Sequence, residues 1–245
     1  MIKEFKTEDG LIIPAVTKEQ MIEIDRIAVE ETGPNLFQMM ENAGRNLALS
    51  AIDLVSKRSS GRKILIFAGT GGNGGGGICA ARHLLNHGYE PVLILSNEDN
   101  LQEVPAYQLY IYRSAEGKEI SFAEVHNIAP DLVIDALIGY SLNSAPGGKI
   151  LEMINFINNK NPPVLSLDIP TGVPATSGDN PGEFVKPEVT LTLALPKTGL
   201  YPEKCGKIIL ADIGIPKTVF EKCSIDYVSP FTTDYLVPVI PVASQ

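Results

Sequence analysis

A glycine-rich segment constrains the fold of this chain more than any other feature of its sequence. Seven of the nine residues from Gly69 to Gly77 are glycine. The segment follows the short apolar run KILIFA at 63–68 and precedes a stretch with helical apolar spacing that reaches Leu84. A short, continuous apolar run is typical of a strand covered on both faces, as in a parallel sheet. The pattern therefore predicts a strand, a glycine loop and a helix in that order.

Apolar runs and helical patterns alternate along most of the chain. Thr17 and Gln20 fit a capping box that opens a first helix, and Gly33-Pro34 ends it. Strands that alternate with helices predict right-handed crossovers and a doubly wound α/β sheet. The further helix candidates are 36–55 and 150–157, and the further buried-strand candidates are 91–95, 132–134, 164–167, 189–193 and 208–210.

No linker or repeat divides the sequence, so we expect a single domain over 1–245 with a core at about 16–216. The proline-rich tail over 224–245 is interpreted as an irregular strap or an edge strand.

Composition excludes several classes of partner. The chain carries 20 Lys+Arg against 29 Asp+Glu, a net charge of -9. This balance argues against a nucleic-acid partner, which requires clustered basic residues, and against an anionic membrane surface. No stretch approaches the roughly 20 apolar residues of a membrane span, and the polar N-terminus does not resemble a signal peptide. The three scattered cysteines favour a reducing compartment such as the cytoplasm.

The glycine segment has the position of an anion site. A loop that leaves a buried strand and enters a helix directs several backbone N–H groups and the positive end of the helix dipole at one point. The alternative is a tight turn without a ligand. The G-x-G-x-x-G pattern from Gly69 to Gly74 is weak evidence for a dinucleotide, because the second strand ends Leu95-Ser96-Asn97 without an acidic residue. A P-loop is excluded, because no Lys-Ser or Lys-Thr follows the glycines.

Two aspartates follow neighbouring apolar runs. Asp135 follows 132–134 and Asp168 follows 164–167. Carboxyl ends of parallel strands form the usual ligand edge of an open α/β sheet, so both carboxylates are candidate site residues. Each alone is also explained as a cap for the following turn. Asn73, Asp135 and Thr171 together offer oxygen ligands for a hard cation.

Three other groups have alternative explanations. Lys197, after another apolar run, either meets a phosphate as a point charge or is exposed to solvent. His83 and His87 have helical i, i+4 spacing, but no carboxylate or cysteine in a recognised pattern completes a metal site. Cys79 in the same helix is interpreted as a small core residue.

Taken together, these motifs resemble the YjeF N-terminal domain family, the NAD(P)H-hydrate epimerases, from about Val16 to Pro216. The glycine segment and its helix match, and so do several short motifs in the family's order. They are MENAGR ending at Arg45, DALIG from Asp135, SLDIPTG from Ser166, PKTGL from Pro196 and DIGIP from Asp212.

The resemblance implies a three-layer α/β/α sandwich with a mostly parallel, Rossmann-like sheet. It implies epimerisation of hydrated NADH and NADPH, a cofactor-repair reaction, with Asp168 as the catalytic residue in contact with the reacting ring. A potassium ion is implied at Asn73, Asp135 and Thr171. The implied substrate-binding residues, besides Asp168, are Gly72, Asn73, Gly74, Gly75, Gly76, Gly139, Tyr140, Ser141, Leu142, Asn143, Ser144 and Ala145.

The sequence departs from the family pattern in the glycine segment. Gly72 replaces the usual Asn, and Gly76 replaces an Asp whose carboxylate is expected to orient the ligand. The segment 139–145 also lacks the family's usual Gly-Asp-rich form. A catalytically silent nucleotide-binding or scaffold domain is therefore the second hypothesis. A dehydrogenase is disfavoured, because a second catalytic domain and a ribose-binding acid are missing. A homodimer is a family expectation, and a partner dehydratase is expected on another chain.

Overall fold

The computed structural model describes residues 1–58, 61–179 and 182–242. In these ranges ten strands form one sheet in the order β2-β1-β10-β9-β8-β7-β6-β3-β4-β5. The strands are β1 (Glu4–Lys6), β2 (Ile12–Pro14), β3 (Lys63–Ala68), β4 (Glu90–Leu95), β5 (Lys118–Glu119), β6 (Leu132–Ala136), β7 (Val164–Leu167), β8 (Val189–Leu193), β9 (Lys207–Ala211) and β10 (Leu236–Pro241).

The seven strands from β9 to β5 pair in parallel, while β10, β1 and β2 are joined antiparallel at the other side of the sheet. The mostly parallel α/β sheet is thus confirmed. Strand β3 shows why its sequence is continuously apolar. Ile64 and Ile66 belong to one core cluster, whereas Leu65 and Phe67 belong to the cluster on the opposite face. Both faces of the strand are covered.

Helices cover both faces of the sheet. Apolar residues of α1 to α4 and α7 join the larger core cluster, and those of α5 join the smaller one with the 3₁₀ turn Phe122–Asn127. This is the expected three-layer arrangement. The helices are α1 (Lys18–Ile27), α2 (Leu36–Ser56), α3 (Gly72–Asn86), α4 (Glu103–Ser114), α5 (Gly148–Lys160), α6 (Pro202–Cys205) and α7 (Lys217–Lys222). None of the helices in the described ranges is long and apolar enough to cross a membrane.

The first helix begins as predicted. The Thr17 hydroxyl accepts from the Gln20 N–H at 3.3 Å, and the Thr17 N–H donates to Gln20 Oε1 at 2.9 Å. Helix α1 continues into a five-residue π-helical turn, Ala28–Thr32, before Gly33 leaves the helix at φ 77°. Gly33-Pro34 is therefore the stop signal, as the sequence predicts.

The interpretation of the tail as an edge strand is wrong. Strand β10 lies inside the sheet, where it pairs antiparallel with both β9 and β1. Its Pro238 lacks a backbone N–H, which makes the segment look unsuited to a central position. The sheet also extends beyond 16–216 in both directions, through β1, β2 and β10. Residues 243–245 of the predicted tail lie outside the described ranges.

Candidate functional site

Most of the predicted glycine loop is helix. Only Gly69, Thr70 and Gly71 connect β3 to α3, which begins at Gly72 with Gly71 as its N-cap. The first intrahelical bond runs from the Gly75 N–H to the Gly71 carbonyl at 3.0 Å. The N–H groups in the first turn of a helix have no partner within the helix. The structure therefore keeps the anion-site geometry, on a shorter loop than expected.

Close packing explains several of the glycines. A Cβ on Gly69 would lie 1.8 Å from the Leu137 carbonyl oxygen, and one on Gly74 would lie 1.9 Å from the Gly69 carbonyl oxygen. A Cβ on Gly77 would meet the Ala136 side chain at 2.5 Å. Helix α3 thus approaches the end of β6 so closely that side chains are excluded. Close packing therefore explains three glycines of the segment without a ligand, in agreement with the alternative of a tight turn.

Position 76 faces the core. A Cβ on Gly76 would lie 2.7 Å from Leu167 Cδ2 and 3.9 Å from the Ala43 side chain. Gly76 is buried and is not among the residues that line the adjoining cavity. The expectation that Gly76 removes a ligand-orienting contact is wrong for this backbone.

A cavity of about 400 Å³ lies between the start of α3 and the segment 137–147. Gln102 and Ile150 also contribute to its wall. The cavity lies where β3 and β6 end, at the ligand edge expected of a parallel sheet. Eight of the predicted substrate residues line it: Gly72, Asn73, Gly139, Ser141, Leu142, Asn143, Ser144 and Ala145. The other five do not line it: Gly74, Gly75, Gly76, Tyr140 and Asp168.

Asp168 directly follows β7 and is nearly buried, with 3 % of its surface exposed. Its Oδ2 accepts a hydrogen bond from the Tyr140 N–H at 2.9 Å, and its Oδ1 forms an ion pair with Lys197. The backbone of Asp168 is left-handed, with φ 65°. Non-glycine residues adopt this conformation at an energetic cost and concentrate at functional sites. The geometry is that of a carboxylate held in one orientation.

Both expectations for Lys197 are wrong. Its side chain is fully buried, and its Nζ donates to the Leu193 carbonyl at 2.8 Å besides contacting Asp168. A buried ammonium requires a charged partner and hydrogen bonds, and this one has both. Lys197 therefore faces the carboxylate and is neither exposed nor free to meet a phosphate.

Asp135 forms a second polar group one strand away. It is fully buried in β6 and accepts from the Ser166 hydroxyl on neighbouring β7 at 2.8 Å. The Thr171 hydroxyl and N–H donate to its two oxygens at 2.7 and 2.9 Å. Burial raises the pKa of Asp135 despite these donors, because desolvation penalises the charged form. The structure thus brings two of the predicted cation ligands, Asp135 and Thr171, into contact.

Asn73 lies on the Asp168 side of the cavity. A Cβ on Gly139 would lie 2.8 Å from Asp168 Oδ2 and 3.1 Å from Asn73 Oδ1. Asn73 Nδ2 is buried, and no residue in the described ranges is a hydrogen-bond partner for it. The backbone connects the Asp135–Thr171 pair with Asp168. The Ile138 N–H donates to the Thr171 hydroxyl at 3.0 Å, and the next two residues, Gly139 and Tyr140, adjoin Asp168. The amide, hydroxyl and carboxylate oxygens suit a hard cation.

The sequence analysis missed Asp25. This aspartate lies on α1, is partly buried and accepts a hydrogen bond from the Tyr140 hydroxyl. Desolvation raises its pKa to about 6, although the bond from Tyr140 and the charge of Lys197 oppose that shift. The sequence signal that could have identified Asp25 is its position between the buried Ile24 and Ile27 of an amphipathic helix.

Helix α1 makes a second contact with the cavity wall. Lys18 Nζ donates to the Ser141 and Leu142 carbonyls at 3.3 and 3.0 Å and to Asn143 Oδ1 at 2.6 Å. One helix thus contacts the segment 140–143 at two points, through Lys18 and Asp25.

A carboxylate and a cysteine do surround His83, contrary to expectation. Glu41 Oε1 lies 2.9 Å from His83 Nε2, and Glu41 Oε2 lies 3.3 Å from Cys79 Sγ. Arg82 Nη2 donates to both Glu41 oxygens at 2.7 Å, so the carboxylate already has a cationic partner. Desolvation alone would raise the pKa of Glu41, but the bonds from Arg82 and His83 outweigh it and lower the pKa to about 2. This ion pair joins α2 to α3.

Comparison with known proteins adds three findings. An NAD(P)H-hydrate epimerase of Dehalogenimonas lykanthroporepellens is 49 % identical over 97 % of this chain and 97 % of its own length. A bifunctional NAD(P)H-hydrate repair enzyme of Hyperthermus butylicus is 33 % identical over 82 % of this chain, which spans 38 % of that enzyme. A crystal structure of a yeast protein superposes with a TM-score of 0.81 over 92 % of this chain and all of that one. At 22 % identity this last likeness shows the fold.

Residues 36–199 match the family described as the N-terminus of YjeF-related proteins. That range contains the glycine segment, both aspartates at the strand ends and Lys197. The chain therefore belongs to the YjeF N-terminal family.

Proposed function

We propose that this chain is an NAD(P)H-hydrate epimerase, an isomerase that interconverts the R and S epimers of hydrated NADH and NADPH. The observation that carries the proposal is the Asp168 carboxylate, fixed by Lys197 and the Tyr140 N–H beside a cavity at the strand ends. The identity of 49 % to a relative of that name over nearly the whole chain supports it.

The charged groups of the substrate determine its orientation in the cavity. The pyrophosphate binds at the start of α3, where the N–H groups of Gly72, Asn73 and Gly74 point out of the first helical turn. Gly75 and Gly76 follow in the same helix, close to Val104 and Leu167 respectively. The segment 139–145 forms the opposite wall, and Asp168 lies deeper, next to Gly139. The hydrated nicotinamide ring therefore enters toward Asp168.

The reaction requires a carbon–oxygen bond to break and to form again. The lone pair of the ring nitrogen expels the hydroxyl group, which takes a proton from solvent and leaves as water, and an iminium cation remains. Water then adds to the opposite face and loses one proton, so that atoms and charge balance. Asp168 stabilises the cation through its negative charge, receives the proton from the incoming water and returns it to solvent.

The proposal includes a potassium ion held by Asn73, Asp135 and Thr171. Oxygen donors of these three kinds suit a hard monovalent cation, and the buried Asp135 carboxylate is consistent with one. The ion would supply positive charge next to an anionic substrate. The residues themselves hold the segment 137–140 in place through the Thr171–Ile138 bond.

The second hypothesis, a silent scaffold domain, loses one of its two arguments. Gly76 faces Leu167 and not the cavity, so its lack of a carboxylate does not bear on ligand contact in this structure. Gly72 remains a cavity residue without the usual side chain. The intact Asp168 arrangement favours the enzyme.

Four further features belong to the proposal. Residues 1–245 form a single domain, and the protein forms a homodimer, in keeping with the family. A dehydratase on another chain consumes the repaired epimer, as expected beside a relative named only for the epimerase activity. The protein works in the cytoplasm, in keeping with cysteines that form no disulfide in the described ranges.

The test is to incubate purified protein with a single epimer of hydrated NADH and to follow its loss by chromatography. The epimers also interconvert without a catalyst, so the readout is acceleration over buffer. We expect the wild-type protein to accelerate the loss strongly over the rate in buffer. A rate equal to that in buffer would favour the silent domain.

A further inference from the structure

Tyr140 connects two carboxylates that lie far apart in the sequence. Its hydroxyl donates to Asp25 Oδ2 on α1, and its backbone N–H donates to Asp168 Oδ2 at 2.9 Å. Asp168 in turn contacts Lys197. A single residue between the cavity residues Gly139 and Ser141 is thus held at both ends, by an acid with no proposed role and by the proposed catalytic acid.

The bond between Asp25 and Tyr140 is well supported chemically. Desolvation raises the pKa of Tyr140, and the negative charges of Asp25 and Asp168 act in the same direction, so the phenol remains a donor. Desolvation also raises the pKa of Asp25, to about 6, which leaves this group mainly ionised at neutral pH. A hydrogen bond to an ionised acceptor is stronger than one between neutral groups.

The other charged groups around α1 have partners of their own. Arg26 pairs with Glu23, Glu30 and Glu31. From α7, which contacts α1, Lys222 pairs with Glu31. The charged or titratable groups that face Asp25 are Tyr140, Lys197 and Asp168. Its surroundings are therefore those of the site and not of the outer surface of α1.

We propose that Asp25 is a positioning residue of the site, which accepts the Tyr140 hydroxyl and thereby holds the Tyr140 N–H on Asp168 Oδ2. The bond fixes the carboxylate oxygen that adjoins Gly139, a residue of the cavity wall. Lys18 secures the following residues of the same segment, so that α1 sets both the position of the wall and the orientation of the acid. This inference rests on the proposed epimerase function.

The first test requires no turnover. Amide hydrogen exchange at Tyr140 reports its bond to Asp168, and we expect Asp25→Ala to lower the protection of that amide about tenfold. Asp25→Asn keeps an acceptor for the hydroxyl and is expected to retain most of the protection. The matched control is Asp53→Ala, which removes an exposed acid of α2. Unchanged protection in Asp25→Ala, or equal losses in the Ala and Asn variants, would overturn the inference.

The second test is kinetic. We expect Asp25→Ala to lower kcat about tenfold with little change in KM, because a misplaced carboxylate affects the chemical step. Tyr140→Phe should cost as much, and the double variant no more than either, because one bond is removed in all three. Tyr110→Phe, at an exposed position of α4, is the control. Additive losses would show that Asp25 acts by another route. A wild-type protein without epimerase activity would refute the function, while hydrogen exchange would still decide the role of Asp25.

Discussion

Lys197 places its ammonium group on Asp168 Oδ1 with both side chains shielded from solvent, at 1 % and 5 % exposure. The two residues follow different strands, β8 and β7, which lie side by side in the sheet. Desolvating two charges is unfavourable, and their attraction offsets this only where the geometry is good and other hydrogen bonds complete it. The Leu193 carbonyl and the Tyr140 N–H supply those bonds. A carboxylate in such a setting cannot reorient freely.

Asp168→Asn is expected to lower epimerisation at least about a hundredfold, because it removes the proton acceptor and the negative charge that stabilises the iminium cation. The amide keeps a single acceptor oxygen, so it can accept from Lys197 or from the Tyr140 N–H but not from both, and the variant should fold with a lower thermal midpoint. The rate of epimer conversion measures the loss of activity, and circular dichroism measures the thermal midpoint, with Asp53→Asn as control. Wild-type activity in the Asp168 variant would refute its assignment.

Lys197→Met should lower the free energy of unfolding by about 3–5 kcal/mol, because it leaves the buried Asp168 carboxylate without a cationic partner. The double variant Lys197→Met, Asp168→Asn should recover much of that loss, since the unpaired charge is then gone. Denaturant unfolding of the four proteins measures the coupling. Losses that simply add would mean that the pair does not act as a unit.

Potassium chloride, in place of choline chloride at equal ionic strength, is expected to raise the thermal midpoint. A cation bound at Asp135 would neutralise a charge that burial disfavours, and a ligand that binds only the folded state stabilises it. Asp135→Asn should abolish the potassium response. An equal rise of the thermal midpoint in both proteins would show that potassium does not act at Asp135.

Gly76→Ala is expected to cost about 1–3 kcal/mol of stability, because its Cβ would lie 2.7 Å from Leu167 Cδ2 in a packed core. Gly72→Ala is the matched control, since its nearest neighbour is Met40 Sδ at 3.7 Å, an ordinary contact. Urea unfolding compares the two. If Gly76→Ala proves as stable as Gly72→Ala, α3 is less closely packed than described.

Acid should weaken the α2–α3 connection through Glu41. Its folded-state pKa of about 2 lies below the ordinary value of 4.5, so the folded protein binds fewer protons and its stability falls as pH drops between these values. Glu41→Gln removes this contribution, and we expect the stability difference from wild type to shrink over that range. Glu103→Gln, at an exposed position of α4, serves as control. A pH-independent difference would contradict the assignment.

Local sequence patterns were enough to predict the central strands and the two aspartates of the site. A strand covered on both faces must be apolar throughout, so the run 63–68 is recognisable by itself. Parallel strands bring their carboxyl ends to one edge, which places Asp135 and Asp168 near each other without knowledge of any contact.

The remaining parts of the site depend on contacts between distant segments. Lysine is almost never fully buried without a partner, so Lys197 could not be assigned to the interior before Asp168 was seen beside it. Asp25 acquires its role only from Tyr140, which belongs to a segment far along the chain. The sequence predicts a loop for the glycine run because glycine disfavours helices, whereas packing against β6 overrides that preference here.

The place of β10 between β9 and β1 sets an order of assembly. During synthesis β1 and β2 leave the ribosome first, yet the strand that joins them to the sheet is made after all the other strands described. Until Leu236–Pro241 has emerged, the two N-terminal strands lack the strand that pairs them with the rest of the sheet, and the β9 edge stays open. A ribosome-bound chain can therefore complete the substrate edge of the sheet before its two ends meet.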